Sequence, residues 1–107
     1  MKIRIGDQSL RVRISAVEAE ALLQGKEITT TLHFNAIDVF EVVLRTWNLS
    51  IAEVHYQANQ LTASIPLEAS QHLVTTRGYS FRSEQQGAYG TPLSFEVEID
   101  LEKAKHV

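Results

Sequence analysis

Apolar and ionic side chains alternate one for one at the start of the chain. Ile3, Ile5, Leu10, Val12 and Ile14 are apolar, while Lys2, Arg4, Arg11 and Arg13 hold the other parity. Gly6-Asp7-Gln8-Ser9 between the two runs has turn chemistry, so the opening reads as a β-hairpin with one dry and one wet face. Ser15 precedes Glu18 by three residues, the spacing at which two side chains and two backbone N–H groups of a helix start satisfy one another. A helix from Ala16 to Gln24 is predicted, with Ala16, Ala19, Leu22 and Leu23 on its inner face and Gly25 at its end.

Alternation returns in Ile28, Thr30, Leu32 and Phe34 and, past a turn at Asn35 to Asp38, in Phe40, Val42 and Leu44. Val39 and Val43 lie on the opposite parity of that second strand, as does Trp47, so both of its faces are expected to be partly covered. Asn48-Leu49-Ser50 breaks the run. Val54 and Tyr56, then Leu61, Ala63 and Ile65, predict a second hairpin around Ala58-Asn59-Gln60. Pro66, with its fixed φ, suits the first turn of a second helix. Leu67, Ser70, Leu73 and Val74 carry that helix to Thr75, and Gly78 stands past its end. A strand from Tyr79 to Gln85, a loop at Gly87 to Gly90 and a final strand of Leu93, Phe95, Val97, Ile99 and Leu101 complete the pattern.

The element order is β-β-α-β-β twice over, the signature of an internal duplication with repeats at 1–48 and 51–102. An offset of 51 carries Ile3, Ile5, Leu10, Val12 and Ile14 onto Val54, Tyr56, Leu61, Ala63 and Ile65, and Leu22 and Leu23 onto Leu73 and Val74. The last strand calls for an offset of 55, which takes Phe40 to Phe95 and assigns four extra residues to the Gly87 to Gly90 loop. The fold class is thus α+β, mostly antiparallel, with about eight strands and two helices. Two equivalent units about a pseudo-twofold axis would join in one sheet or close into a barrel, which removes exposed edges.

Composition narrows the setting. At 107 residues with 44% hydrophobic content, the chain is sized for a single domain, 1–107, with one core. No apolar run approaches the 18 or so residues of a membrane span, and the start has no long apolar stretch of the signal-peptide kind. Zero Cys excludes disulfides, thiolate nucleophiles and cysteine-held metals. A cytoplasmic location is expected. The net charge of −3 argues against non-specific binding to nucleic acid, which needs a broad positive field. The charge is nevertheless polarised: Lys2, Arg4, Arg11 and Arg13 crowd the start, and Glu96, Glu98, Asp100 and Glu102 the end.

The stretches Met1-Lys2-Ile3-Arg4-Ile5 and Ser9-Leu10-Arg11-Val12-Arg13-Ile14-Ser15, with Glu18 following, resemble a family of small bacterial proteins of about this length and of uncharacterised function. The likeness continues through Ile65-Pro66 and through Phe95 to Leu101. It departs at Gln71-His72-Leu73, where the family has an aromatic residue, and at Glu98-Ile99-Asp100, where it has a Lys-Asp pair. The resemblance implies a bacterial cytoplasmic protein and supplies no catalytic residue.

Three groups of residues are candidates for function. Lys2, Arg4, Arg11 and Arg13 share one strand face and match phosphates or carboxylates. Glu96, Glu98 and Asp100 offer carboxylates for a metal, or for pairing with a basic neighbour strand. A wide barrel with these two groups facing inward resembles the triphosphate-tunnel enzymes, although their Glu-x-Glu-x-Lys opening is absent and the nearest echo is Glu96-x-Glu98. Val39, Val43 and Trp47 are candidates for an interface, either between copies of the chain or with another protein. Four histidines, His33, His55, His72 and His106, show no ligand spacing. There is no nucleophile elbow, phosphate loop or dinucleotide fingerprint, and no cofactor is expected. The reading that follows is a non-enzymatic binding or assembly module, with a phosphate-binding or phosphate-hydrolysing barrel as the alternative.

Overall fold

The computed structural model describes residues 1–100. The opening alternation forms strands β1 (Lys2–Gly6) and β2 (Ser9–Ile14). Helix α1 (Ala16–Leu23) begins at Ser15, whose hydroxyl accepts from the Glu18 N–H at 3.1 Å while the Glu18 carboxylate accepts from the Ser15 N–H at 2.9 Å. The other oxygen of Glu18 meets the Met1 ammonium at 2.9 Å. Burial pushes the Glu18 carboxyl up, but these partners outweigh it and hold the group below the ordinary carboxylate range. Gly25, at φ +85°, closes the helix. Its N–H reaches the Leu22 carbonyl and the Lys26 N–H reaches Ala21, both at 2.9 Å, a left-handed ending that glycine accommodates without strain.

The chain continues through β3 (Ile28–His33), β4 (Val39–Trp47), β5 (Glu53–Gln57), β6 (Gln60–Pro66), α2 (Leu67–Thr75), β7 (Ser80–Gln86), a short 3-10 turn and β8 (Pro92–Ile99). Pro66 ends β6 and stands at the cap of α2, one position earlier than expected. Leu101, expected in the last strand, and Glu102 lie outside the described residues.

The strands form two separate four-stranded sheets, ordered β1-β2-β8-β7 and β3-β4-β6-β5. This differs from the joined sheet or closed barrel that alternation alone allowed. Hairpins supply the antiparallel pairs, and the centre of each sheet is a parallel pair, β2 with β8 and β4 with β6. Each sheet therefore takes one hairpin from each half of the chain. The first half's opening hairpin joins the second half's closing hairpin, and the reverse holds in the other sheet. A helix carries the chain from one sheet to the other, and α1 and α2 pack on one another between their strands.

One apolar cluster is shared by both sheets and both helices. Val12, Ile14, Val97, Leu44, Ala63, Ile65 and Leu22 lie at its dry centre, with Leu10, Phe95, Leu73 and Ala69 around them. Strand register shows how far the two halves match. Leu10, Val12 and Ile14 face Phe95, Val97 and Ile99. Leu61, Ala63 and Ile65 face Val42, Leu44 and Thr46. The counterpart of Phe95 is therefore Val42, not Phe40, and the offset of the last strand is 53, not 55. The preceding strand agrees, because Phe81 pairs with Val97 as Ile28 pairs with Leu44. Gln85 and Leu93 bracket the second loop at the same spacing as Leu32 and Phe40 bracket the first. The Gly87 to Gly90 loop thus holds no insertion, and two extra residues lie between α2 and β7 instead.

The sheets are stitched at one pair of edges. The Gln85 side chain on β7 accepts from the Val54 N–H and donates to the Val54 carbonyl, both at 2.8 Å. A side-chain amide here takes the place of a neighbouring strand's peptide group and occupies the outward backbone groups of edge strand β5. Gln85→Ala should cost about 1–3 kcal/mol, two net hydrogen bonds, read as a lower urea midpoint with an unchanged slope. Leu22 and Leu73 are equivalent and both buried, at 0% and 4% exposure. Leu22→Ala and Leu73→Ala should each lose about 2–5 kcal/mol, and midpoints that shift for only one of them would contradict the equivalence of the halves.

Candidate functional site

The wet faces of β1 and β2 continue across β8 and β7. Arg4 stands opposite Arg11, Arg11 beside Glu96, and Glu96 opposite Arg82, one residue from each strand in a single row. Both oxygens of Glu96 are taken: Arg11 Nε donates to one at 2.8 Å and Arg82 Nε to the other at 2.6 Å. In the next rows Arg13 Nε meets Glu98 at 2.6 Å and Lys2 Nζ meets Asp100 at 3.1 Å. Arg4 has no ion pair among the described residues and is exposed. Arg4 and Arg82, on opposite edge strands, line a trough of about 750 Å³ with Arg11 and Glu96 between them and Ser9, Ser94 and Glu84 in the adjacent row.

Glu96, at 13% exposure, sets the electrostatics of this row. Burial pushes its carboxyl up, and the hydrogen bonds and charges of Arg82 and Arg11 more than reverse this, holding it below the ordinary range. Arg4 and Arg11 face each other directly, an arrangement in which like charges repel. Three guanidiniums against one carboxylate leave the row cationic, in a protein whose net charge is −3.

The sequence candidates are distributed as follows. Lys2, Arg4, Arg11 and Arg13 do share one face, but Lys2 and Arg13 are turned to their carboxylates. Glu96, Glu98 and Asp100 lie on the same sheet as the bases, not across a lumen from them. Each of these carboxylates is engaged by a cation, Glu96 by Arg11 and Arg82, Glu98 by Arg13 and Asp100 by Lys2, and no metal-holding group of side chains occurs among the described residues. Val39, Val43 and Trp47 line the outer face of the other sheet. Val43 is buried at 5% exposure, and the Trp47 indole donates to the Ile51 carbonyl at 2.7 Å beneath the Arg45 guanidinium, 5.6 Å from its ring. Arg82 was missed by the sequence reading. Its only signal was a parity opposite to Phe81 in a strand far from the basic opening.

The matching row of the second sheet supplies a control within the molecule. By the offsets of 51 and 53, the positions of Arg4, Arg11, Glu96 and Arg82 correspond to His55, Thr62, Val43 and Thr29, and register places these four in one row as well. The same architecture therefore stands without the charges.

A family model described as a family of unknown function, DUF7009, matches residues 1–105. The chain belongs to that family. No curated protein and no solved structure matches it. No helix among the described residues is long and apolar enough to cross a membrane. Family membership extends over both sheets and brings no site with it, so the function of this DUF7009 chain has to be argued from the charged row.

Because the Glu96 carboxyl is lowered, its stabilising contribution is complete above the unfolded value of about 4.5 and is lost as pH falls through the lower folded value. Urea midpoints of the native chain and Glu96→Gln should differ at neutral pH and converge in acid. A gap that persists unchanged below that window would show that Glu96 acts by packing alone.

Proposed function

We propose that the protein is a binding module that takes oxyanions of an anionic partner, carboxylate or phosphate, on Arg4, Arg11 and Arg82 in the trough of the first sheet. The observation that carries this is the contrast between the two equivalent rows. Exposed ion pairs contribute about 0–1 kcal/mol each, and the neutral row His55, Thr62, Val43 and Thr29 holds an identical strand arrangement without them. The charges are thus weakly accounted for by folding and well accounted for by recognition.

The chemistry fits an oxyanion. An anion between Arg4 and Arg11 relieves the repulsion of two like charges on directly opposed strand positions. The Nε groups of Arg11 and Arg82 are committed to Glu96, which fixes both side chains and leaves their terminal N–H donors to a ligand. Ser9 and Ser94 hydroxyls add neutral donors on the floor. Hydrolysis of phosphates is not favoured, because the carboxylates such a reaction would give to a metal are engaged by cations.

Calorimetric titration with pyrophosphate and, separately, citrate tests the proposal and separates the two oxyanion types. Saturable binding that weakens with salt and falls about tenfold in Arg4→Ala and Arg82→Ala, with thermal stability little changed, is expected. No heat from either anion at millimolar concentration would overturn it.

A further inference from the structure

The two hairpins β1-β2 and β5-β6 are equivalent, yet their outer edges end differently. Both turn through two residues, Asp7-Gln8 and Ala58-Asn59, between the facing pairs Gly6 with Ser9 and Gln57 with Gln60. Along an antiparallel pair, residues alternate between turning their N–H and C=O to the partner strand and turning them outward. Counting from the turn makes Val54 an outward position, as its two bonds to Gln85 demonstrate. By the same count Ile3 and Ile5 are outward positions of β1. The residue that corresponds to Gln85 is Leu32, which has no amide to offer and is 54% exposed. Among the described residues, no hydrogen bond from another element reaches the outward groups of Ile3 or Ile5. One seam between the sheets is stitched and its twin is open.

We propose that β1 is an acceptor edge, which takes an extended acidic segment of a partner protein as a fifth strand beside it. Added strands gain affinity from main-chain hydrogen bonds and specificity from alternate side chains. Beside β1, the outer-face positions of the incoming strand would lie next to Lys2 and Arg4, and the inner-face positions next to Ile3 and Ile5, with Leu32 of β3 assigned to that seam by its equivalence to Gln85. The segment that fits therefore alternates acidic and apolar residues. An acidic residue beside Arg4 would extend the row Arg4, Arg11, Glu96, Arg82 by one more carboxylate, as Glu96 already sits beside Arg11. Ile5, 69% exposed, and Leu32 supply the apolar contacts that solvent now covers.

A second copy of this chain does not suit the edge. The two antiparallel self-pairings that use most of β1 both meet like charges, centred on Ile3 with Lys2 of one copy against Arg4 of the other and centred on Arg4 with the two Arg4 against each other, while pairing centred on Ile5 engages only the strand's last residues. The partner is thus a different, acidic chain. The inference shares Arg4 with the trough reading, and its backbone requirement is separate from it.

The test uses a short blocked peptide alternating Glu and Val, added to the full chain and followed by amide hydrogen exchange in NMR spectra. Ile3 and Ile5 amides should gain protection on binding, while the amide of Arg4, which points to β2, should not change. Arg4→Gln should lower affinity about tenfold. Leu32→Gln should raise the urea midpoint by closing the seam as Gln85 does, and should weaken the peptide in the same measure. Unchanged exchange at Ile3 and Ile5 with the peptide bound, or full affinity in Leu32→Gln, would overturn the proposal. Pyrophosphate or citrate binding through Arg4 alongside either of those results would leave the trough reading standing. Protection of Ile3 and Ile5 without any binding of the small anions would sustain the edge and remove the trough.

Discussion

The parallel pairing of β2 with β8 and of β4 with β6 is the constraint on which the rest depends. Each pair unites strands from opposite halves of the chain, and each sheet is incomplete without both. Neither half owns a sheet, so the apolar faces of Leu10, Val12 and Ile14 find cover only once the last strand has been laid down. A two-stranded hairpin alone is marginal in water, and the exchange turns four such hairpins into two sheets around one core. The helices α1 and α2 carry the chain between the sheets, and within the second sheet β4 reaches its parallel neighbour β6 by way of edge strand β5, since a tight turn joins only antiparallel strands. Each helix follows directly on the central strand of its hairpin, at the point where the chain leaves one sheet for the other.

Much of this was legible in sequence, and the gaps have a physical cause. Alternation assigned faces correctly: Leu10, Val12, Ile14, Ala63, Ile65 and Val97 are all buried. The pair Ser15 and Glu18 marked the helix start to the residue. Alternation says nothing about partners, so the exchange of hairpins and the parallel centre stayed hidden. It is also blind to a slip of two. Moving a strand by one residue turns its apolar set to solvent, but moving it by two leaves every inner residue inner. Matching Phe40 to Phe95 was just such a slip, and it created a false insertion in a loop whose length does not differ between halves. Leu32 and Phe34 keep the apolar parity of their run and are nevertheless exposed, because parity assigns a side without showing whether the other layer extends far enough to cover it.

The candidate site was half legible. Arg4 and Arg11 were visible as a basic face, and Glu96 as its acidic complement, but their standing side by side depends on a strand pairing that spans 85 residues. Arg82 entered only through register. Equivalence between halves then supplied what the sequence lacked, a reference for what the architecture needs. Positions apolar in both halves, such as Leu10 and Leu61, Ile14 and Ile65, or Leu22 and Leu73, answer to the core. Positions ionic in one sheet and neutral in the other do not.

Two departures from symmetry meet on one strand. The outer face of the first sheet carries an ionic row where its twin is neutral, and the edge of the same sheet is open where its twin is stitched by Gln85. Both end at β1: Arg4 is the terminal member of the row, with no ion pair among the described residues, and Ile3 and Ile5 hold the outward backbone groups of the edge. An open edge in an isolated domain invites indiscriminate strand pairing, and charge on the edge is one means of restricting it. Lys2 and Arg4 repel a second copy and a basic strand while attracting an acidic one, so the residues that guard the edge also define what it admits.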